Sequence, residues 1–240
     1  MESRFAFKIL AQPDATTCGP TCLHAVYKYY GDNISLQQVI AETHLLESGG
    51  TLEVLLACHA LQRGYKAIIY TYNLHVFDPT WFEKPDIDLR SKLKQQVKVK
   101  RNNRLKIATK AYLEYLDLGG LLRFHDLTTA LLRKYLKQNI PILCGLSSTY
   151  LYHCARELGP ALDYDDIKGV PTGHFVILCG YDLDKRHVFV ADPLTHPAGK
   201  GQLYEVDIDR LVGSILLGIL TYDANLLIIE PAITAAKEKK

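Results

Sequence analysis

The segment from His174 to Pro193 limits the fold more than any other part of the chain. It reads His174-Phe-Val-Ile-Leu-Cys-Gly-Tyr, then Asp182-Leu-Asp-Lys-Arg, then His187-Val-Phe-Val-Ala-Asp192-Pro193. Two short runs rich in β-branched and aromatic residues, parted by a polar turn, specify an antiparallel hairpin, and consecutive apolar positions specify one buried on both faces. With the turn centred near Asp184, the numbers of paired residues total about 366–368, so Asp192 stands opposite residue 174 or 176. An even total needs a loop of odd length and puts His174 and Asp192 on one face. An Asp in that place fixes the imidazole tautomer and orients the other ring nitrogen. Each residue alone has a commoner explanation: a His at a strand start bonded to any carbonyl, and an Asp ending a strand before proline.

The earlier part of the chain has a helical period. Pro20 with Leu23, Val26, Tyr27 and Tyr30 predicts an amphipathic helix stopped by Gly31, with Cys18 at its N-terminal end. Ser35 is expected to cap a second helix through Leu36, Val39 and Ile40. Thr51 is expected to cap a third, which carries apolar residues on two sides and is therefore buried. Lys66 to Tyr72 reads as a strand and Pro141 to Ser147 as a buried one, with a helix between them that Asp126 caps. Asp207 caps a helix through Leu216, Asn225 to Ile229 forms a closing strand, and Ala235 to Lys240 is a solvated tail. Helices first and antiparallel strands later make the chain α+β.

At 240 residues, with 48% apolar against 22% charged, the chain suits one domain over 1–240, interrupted by a polar, helical segment at 78–119 and a smaller one at 150–172. The longest apolar stretches fall far short of the roughly 18–20 residues that a membrane span needs. Glu2, Arg4 and Lys8 break up the apolar start, so no secretory signal is read there and a cytoplasmic location is expected. The six cysteines are spread thinly and read as free thiols. Arg90 to Lys110 holds nine of the 28 Lys and Arg residues and no acidic residue, leaving 19 basic against 26 acidic residues, a balance of −7, elsewhere.

Cys18 is the leading candidate for chemistry. A thiol in the first turn of a helix feels the positive end of the helix dipole, and the free backbone N–H groups there can hold an oxyanion. A small residue packed under the helix is the commoner fate of a lone cysteine, and it is the better reading of Cys22, which shares a side with Val26. Gln12, six residues before Cys18, can offer its amide as a second oxyanion donor; taken singly it is a polar loop residue. Cys18, Cys22, His24, Cys58 and His59 lack the two closely spaced pairs of a zinc site, so neither metal nor cofactor is expected.

Gln12-Pro-Asp-Ala-Thr-Thr-Cys18-Gly19-Pro20-Thr-Cys22-Leu23, then Gly173-His174-Phe-Val-Ile-Leu-Cys-Gly180-Tyr, then Val188-Phe-Val-Ala-Asp192-Pro193 resemble the bacteriocin-processing peptidase family and its free-standing relatives, number thirty-nine of the cysteine peptidases. The resemblance covers roughly 5–75, 125–148 and 170–230. It implies a papain-like fold, with N-terminal helices packed on an antiparallel sheet, and a helical insertion. It also implies Cys18 as nucleophile, His174 as base, Asp192 as orienting residue and Gln12 as oxyanion donor. Thr17 stands where many relatives have an acidic residue, and none of the four roles depends on it. The family's members fused to export ATPases cut leader peptides after a double glycine; this sequence has no Gly-x-x-x-x-Gly-Lys loop, and that task is not implied.

The expected function is therefore a peptidase or amide hydrolase acting on a peptide or protein through a Cys18 thiolate. Acyl transfer or deamidation on the same fold is one alternative. A non-catalytic module that docks a partner through the basic insertion is another. Arg90 to Lys110 has no aromatic residue for base stacking, so an acidic protein is the expected partner there and nucleic acid is not.

Overall fold

The two periods in the sequence set the element order of the computed structural model, which describes residues 2–46, 49–159, 163–195 and 201–232. The first half runs β1 (Glu2–Arg4), α1 (Cys18–Tyr29), α2 (Leu36–Glu42), α3 (Glu53–Gln62), β2 (Tyr65–Thr71), α4 (Leu89–Val99), α5 (Asn103–Asp117), β3 (Leu121–Arg123) and α6 (Thr129–Leu136). The second runs β4 (Ile142–Ser147), α7 (Ser148–Tyr152), β5 (Glu157–Leu158), β6 (Asp163–Tyr164), β7 (Gly173–Asp182), β8 (His187–Ala191), β9 (Leu203–Asp207), α8 (Ile208–Leu217) and β10 (Asn225–Pro231). The expected tail at 235–240 lies outside the described residues.

One sheet in the order β3-β2-β10-β4-β7-β8-β9 carries the fold, with β1 on the far part of β7. Its neighbours are antiparallel except β2 and β3, which are parallel. A parallel pair needs a long crossover, because the chain must return to the same end of the sheet. The basic segment at 78–119 lies within that crossover. Leu93 of α4 and Leu105, Ala108, Ala111, Tyr112 and Tyr115 of α5 are buried in the same core as α3 and β2. The Tyr115 hydroxyl reaches the carbonyls of Ala67 and Leu121, both at 2.9 Å, and a Cβ at Gly120 would strike its ring.

Helix α1 is buried at ten consecutive positions, Cys18 to Tyr27, because it packs against β7 as well as α2 and α3. Pro20 falls in its first turn, where a missing N–H leaves no helical bond unmade. Two expected caps are replaced. The Thr51 hydroxyl bonds the His44 carbonyl (2.8 Å), and α3 receives its cap from the far end of the chain, where Asp223 Oδ1 accepts from the Glu53 amide at 2.9 Å. Thr128 rather than Asp126 caps α6, accepting from the Leu131 amide at 3.2 Å. Ser35 and Asp207 cap α2 and α8 as the sequence indicates. Burial raises Asp223 to about 7 against the opposing pull of the Glu53 amide and Arg104; burial, then the neighbouring Asp223, pushes the fully buried Glu53 up too.

Candidate active site

The β7–β8 hairpin reaches the expected result by a different route. Its loop, Leu183 to Arg186, has an even length, so Asp182 pairs with His187 and Gly180 with Phe189, an odd total. Continued unchanged, that register would set Asp192 and His174 on opposite faces, because side chains alternate along a strand. A β-bulge at Cys179 adds one residue to β7. Beyond it Leu178 pairs with Val190 and Ile177 with Ala191, so the parity reverses and Asp192 comes to the face of His174. Gly180, next to the bulge, has φ +155°, a conformation open to glycine.

The outcome is a buried pair. His174 Nε2 meets Asp192 Oδ1 at 2.8 Å, with the two side chains 4% and 0% exposed. The other nitrogen, Nδ1, is left for a second partner, and the Cys18 side chain is the other hydrogen-bonding group acting on this imidazole. Burial works to lower the imidazole. The charge and hydrogen bond of Asp192, joined by the hydrogen bond and charge of Cys18, outweigh it and raise His174 to about 10. Burial likewise works to raise Asp192, and the His174 charge, with hydrogen bonds from His174, Tyr204 and Tyr152, brings it below the ordinary carboxylate range. Both directions describe an imidazolium beside a carboxylate.

Cys18 arrives there through α1. Cys22 lies one turn on along the same face, and its thiol donates to the Phe175 carbonyl at 3.3 Å. That contact docks the helix one residue past His174, with Cys18 one turn earlier within hydrogen-bonding reach of the imidazole. Close approach depends on Gly19, where a Cβ would stand 2.8 Å from Thr51 Cγ2 and 3.1 Å from the Phe175 ring. The amides of Cys18 and Gly19 begin the helix, so neither has an intrahelical acceptor.

Gln12 is held beside the same cluster by its backbone, whose amide donates to the Pro193 carbonyl at 3.0 Å. Its side chain does not bond Cys18 or His174. Nε2 donates to the Asp14 carbonyl at 2.7 Å, which uses one of its two protons. Three groups around Asp192 were not singled out by sequence reasoning. The hydroxyls of Tyr152 and Tyr204 donate to Oδ2 at 2.7 and 2.5 Å, and the Leu194 amide donates to Oδ1 at 2.8 Å. Tyr204 had a signal in the inward alternation of Tyr204 and Val206 along β9; Tyr152 had none, since it lies within the segment at 150–172 read as an interruption.

None of the six cysteines is in a disulfide. Burial pushes Cys58 up to about 12, Cys179 up to about 11, and Cys22 and Cys144 well above the ordinary thiol range. Among the described residues no group of three or more His, Cys, Asp or Glu side chains is placed to hold a metal ion. No helix among them is long and apolar enough to cross a membrane.

Comparison with known proteins adds a family. The model of the Peptidase_C39 like family matches residues 5–209. No curated protein matches the chain. The crystal structure of a protein described as a C39-like peptidase, from Bacillus anthracis, superposes with a TM-score of 0.53 at 12% identity, over 97% of this chain and 98% of that one. Xylellain, a cysteine protease from Xylella fastidiosa, gives 0.46 at 12% identity over 96% and 86%. The peptidase domain of Streptococcus ComA, a bi-functional ABC transporter of a quorum-sensing pathway, gives 0.44 at 14% identity over 95% and 100%. The last two are weaker likenesses that add nothing to the assignment. The fold is that of the C39-like, papain-like cysteine peptidases, a mixed α+β architecture with a large sheet and helices packed on it.

Proposed function

The chain belongs to the Peptidase_C39 like family, and on that premise we propose that it is a cysteine peptidase or amide hydrolase in which Cys18 is the nucleophile. The observation that carries this reading is the buried His174–Asp192 pair at 2.8 Å, with Cys18 as the other hydrogen-bonding side chain on the imidazole. The Cys18 thiolate attacks the substrate carbonyl carbon and a C–S bond forms. The oxyanion is held by the amides at the start of α1 and by the second Nε2 proton of Gln12. His174 gives its proton to the departing amine as the C–N bond breaks, leaving an acyl-enzyme. Water then attacks with His174 taking its proton, the C–S bond breaks, and the thiolate and imidazolium are restored. Asp192 holds the ring orientation and balances its charge throughout.

A peptide or protein is the substrate in this reading, and the cytoplasm is its place of action, in keeping with six unpaired thiols. The basic crossover serves selection rather than chemistry. Among the described residues, Arg90 alone of its nine cations has an ion pair, with Asp117 at 2.9 Å, and exposed cations such as Lys98 and Arg101 can meet an acidic partner or substrate. The test is incubation of the protein with a diverse peptide pool, read by mass spectrometry beside Cys18→Ala. New termini that disappear in the variant support the reading. Products heavier by an added amine, or lighter by ammonia with no cut, replace hydrolysis by transfer or deamidation, and no product at all replaces catalysis by binding.

A further inference from the structure

Asp192 is fully buried, and a carboxylate in that place is costly unless every lone-pair direction is met. Four donors meet it. Oδ1 accepts from His174 Nε2 and the Leu194 amide, both at 2.8 Å, and Oδ2 accepts from Tyr152 Oη at 2.7 Å and Tyr204 Oη at 2.5 Å. The phenols come from unconnected parts of the chain. Tyr152 ends α7, where His153 turns the chain at φ +55°, and Tyr204 lies in β9 opposite Val190. Separations of 2.5–2.7 Å are those of a hydroxyl bonded to a charged oxygen. Tyr152 also lies against the imidazole, with ring centroids 6.1 Å apart.

We propose that Tyr152 and Tyr204 are positioning residues that keep Asp192 ionised behind His174. The inference rests on the peptidase reading for its consequence, since an ionised Asp192 is what retains the imidazolium that faces Cys18. The titratable groups around the pair are Cys18 and Cys22 on α1, Tyr152 on α7 and Tyr204 on β9. Burial and the Asp192 charge push both phenols far up, and burial does the same to the Cys22 thiol, so all three keep their protons. A phenol that keeps its proton beside an acceptor-only carboxylate can only donate to it. Removing either hydroxyl leaves Oδ2 underserved, raises the cost of the carboxylate and releases the His174 proton at lower pH.

The test uses the full chain with Tyr152→Phe, Tyr204→Phe and the double substitution. His174 is followed by NMR of histidine-labelled protein, its signal identified by loss in His174→Ala, and Cys18 alkylation is followed against pH. Each single variant should lower the His174 midpoint by about one pH unit, and the double should lower it further than either single and slow Cys18 alkylation relative to the parent. In an Asp192→Asn background the same substitutions should change neither quantity further. Variants that only lose thermal stability while the His174 midpoint stays at the parent value overturn the assignment. Tyr152 is only half-buried, so Tyr152→Phe carries the test alone should Tyr204→Phe fail to fold. A shifted midpoint in a protein that cleaves no peptide upholds the positioning role and refutes the peptidase reading; a cleaving parent with unmoved midpoints does the reverse.

Discussion

The Cys22 thiol rests on the Phe175 carbonyl at 3.3 Å, one helical turn from Cys18 and one residue from His174. This contact makes the distance between Cys18 and His174 a property of helix-on-strand packing rather than of a loop. Cys22→Leu, which enlarges a fully buried side chain at that contact, should cost about 1–3 kcal/mol of stability. It should also slow Cys18 alkylation at pH 7 by more than tenfold at a temperature where the protein remains folded. A destabilised variant with parent alkylation kinetics would show that α1 is not positioned there.

Thiol selectivity follows from the same packing. Burial raises Cys22, Cys58, Cys144, Cys154 and Cys179, and none of them has an imidazolium neighbour like that of Cys18. Brief treatment with iodoacetamide at neutral pH, followed by peptide mapping, should modify Cys18 first. Equal or earlier modification of Cys154 or Cys179 contradicts this.

The hairpin, α1 and the buried strand at β4 were legible in the sequence because continuous apolar runs and a helical period report burial directly. Local rules failed where distant residues intervened. Thr51 was a plausible cap until Asp223, 170 positions from Glu53, took the Glu53 amide. The facing of His174 and Asp192 was legible, but the bulge at Cys179 that produces it was not, since an even-length loop and a bulge give the same parity as an odd-length loop. Tyr152 was hidden because hydrogen bonding to a residue forty positions away leaves no periodic trace.

Glu53 and Asp223 make stability depend on pH. Burial raises both carboxyls, so the folded chain keeps protons that the unfolded chain releases near pH 4. Stability from this source is full below about pH 4 and falls as pH rises, through about 7 for Asp223. Glu53→Gln removes one of these titrations while keeping the shape. Thermal unfolding should show little change at pH 4 and a midpoint several degrees above the parent at pH 8. Equal shifts at both pH values would mean that Glu53 is not protonated in the fold.

The basic crossover should act on substrate and not on the thiol. Lys98, Lys100 and Arg101 are exposed, whereas Arg104 bonds the Thr221 carbonyl at 2.9 Å and lies 5.1 Å from the centre of the Tyr222 ring, so it is left in place. Changing the first three to Ser should reduce cleavage of the natural substrate and flatten its salt dependence, because screening shortens from about 10 Å at 0.1 M to about 3 Å at 1 M. Cys18 alkylation should be unchanged. Loss of alkylation to the extent seen in His174→Ala would make the segment part of the catalytic scaffold.

The central claim is that Cys18 and His174 act as one unit backed by Asp192, and the pH dependence of Cys18 alkylation in the parent and in His174→Ala tests it most directly. The raised imidazole keeps its proton through neutrality and loses it as pH passes about 10. Between pH 6 and 7 the parent should therefore react more than tenfold faster than His174→Ala, and the two rates should converge only as pH approaches about 10. Superimposable profiles from pH 6 to 10 would show that His174 does not activate Cys18.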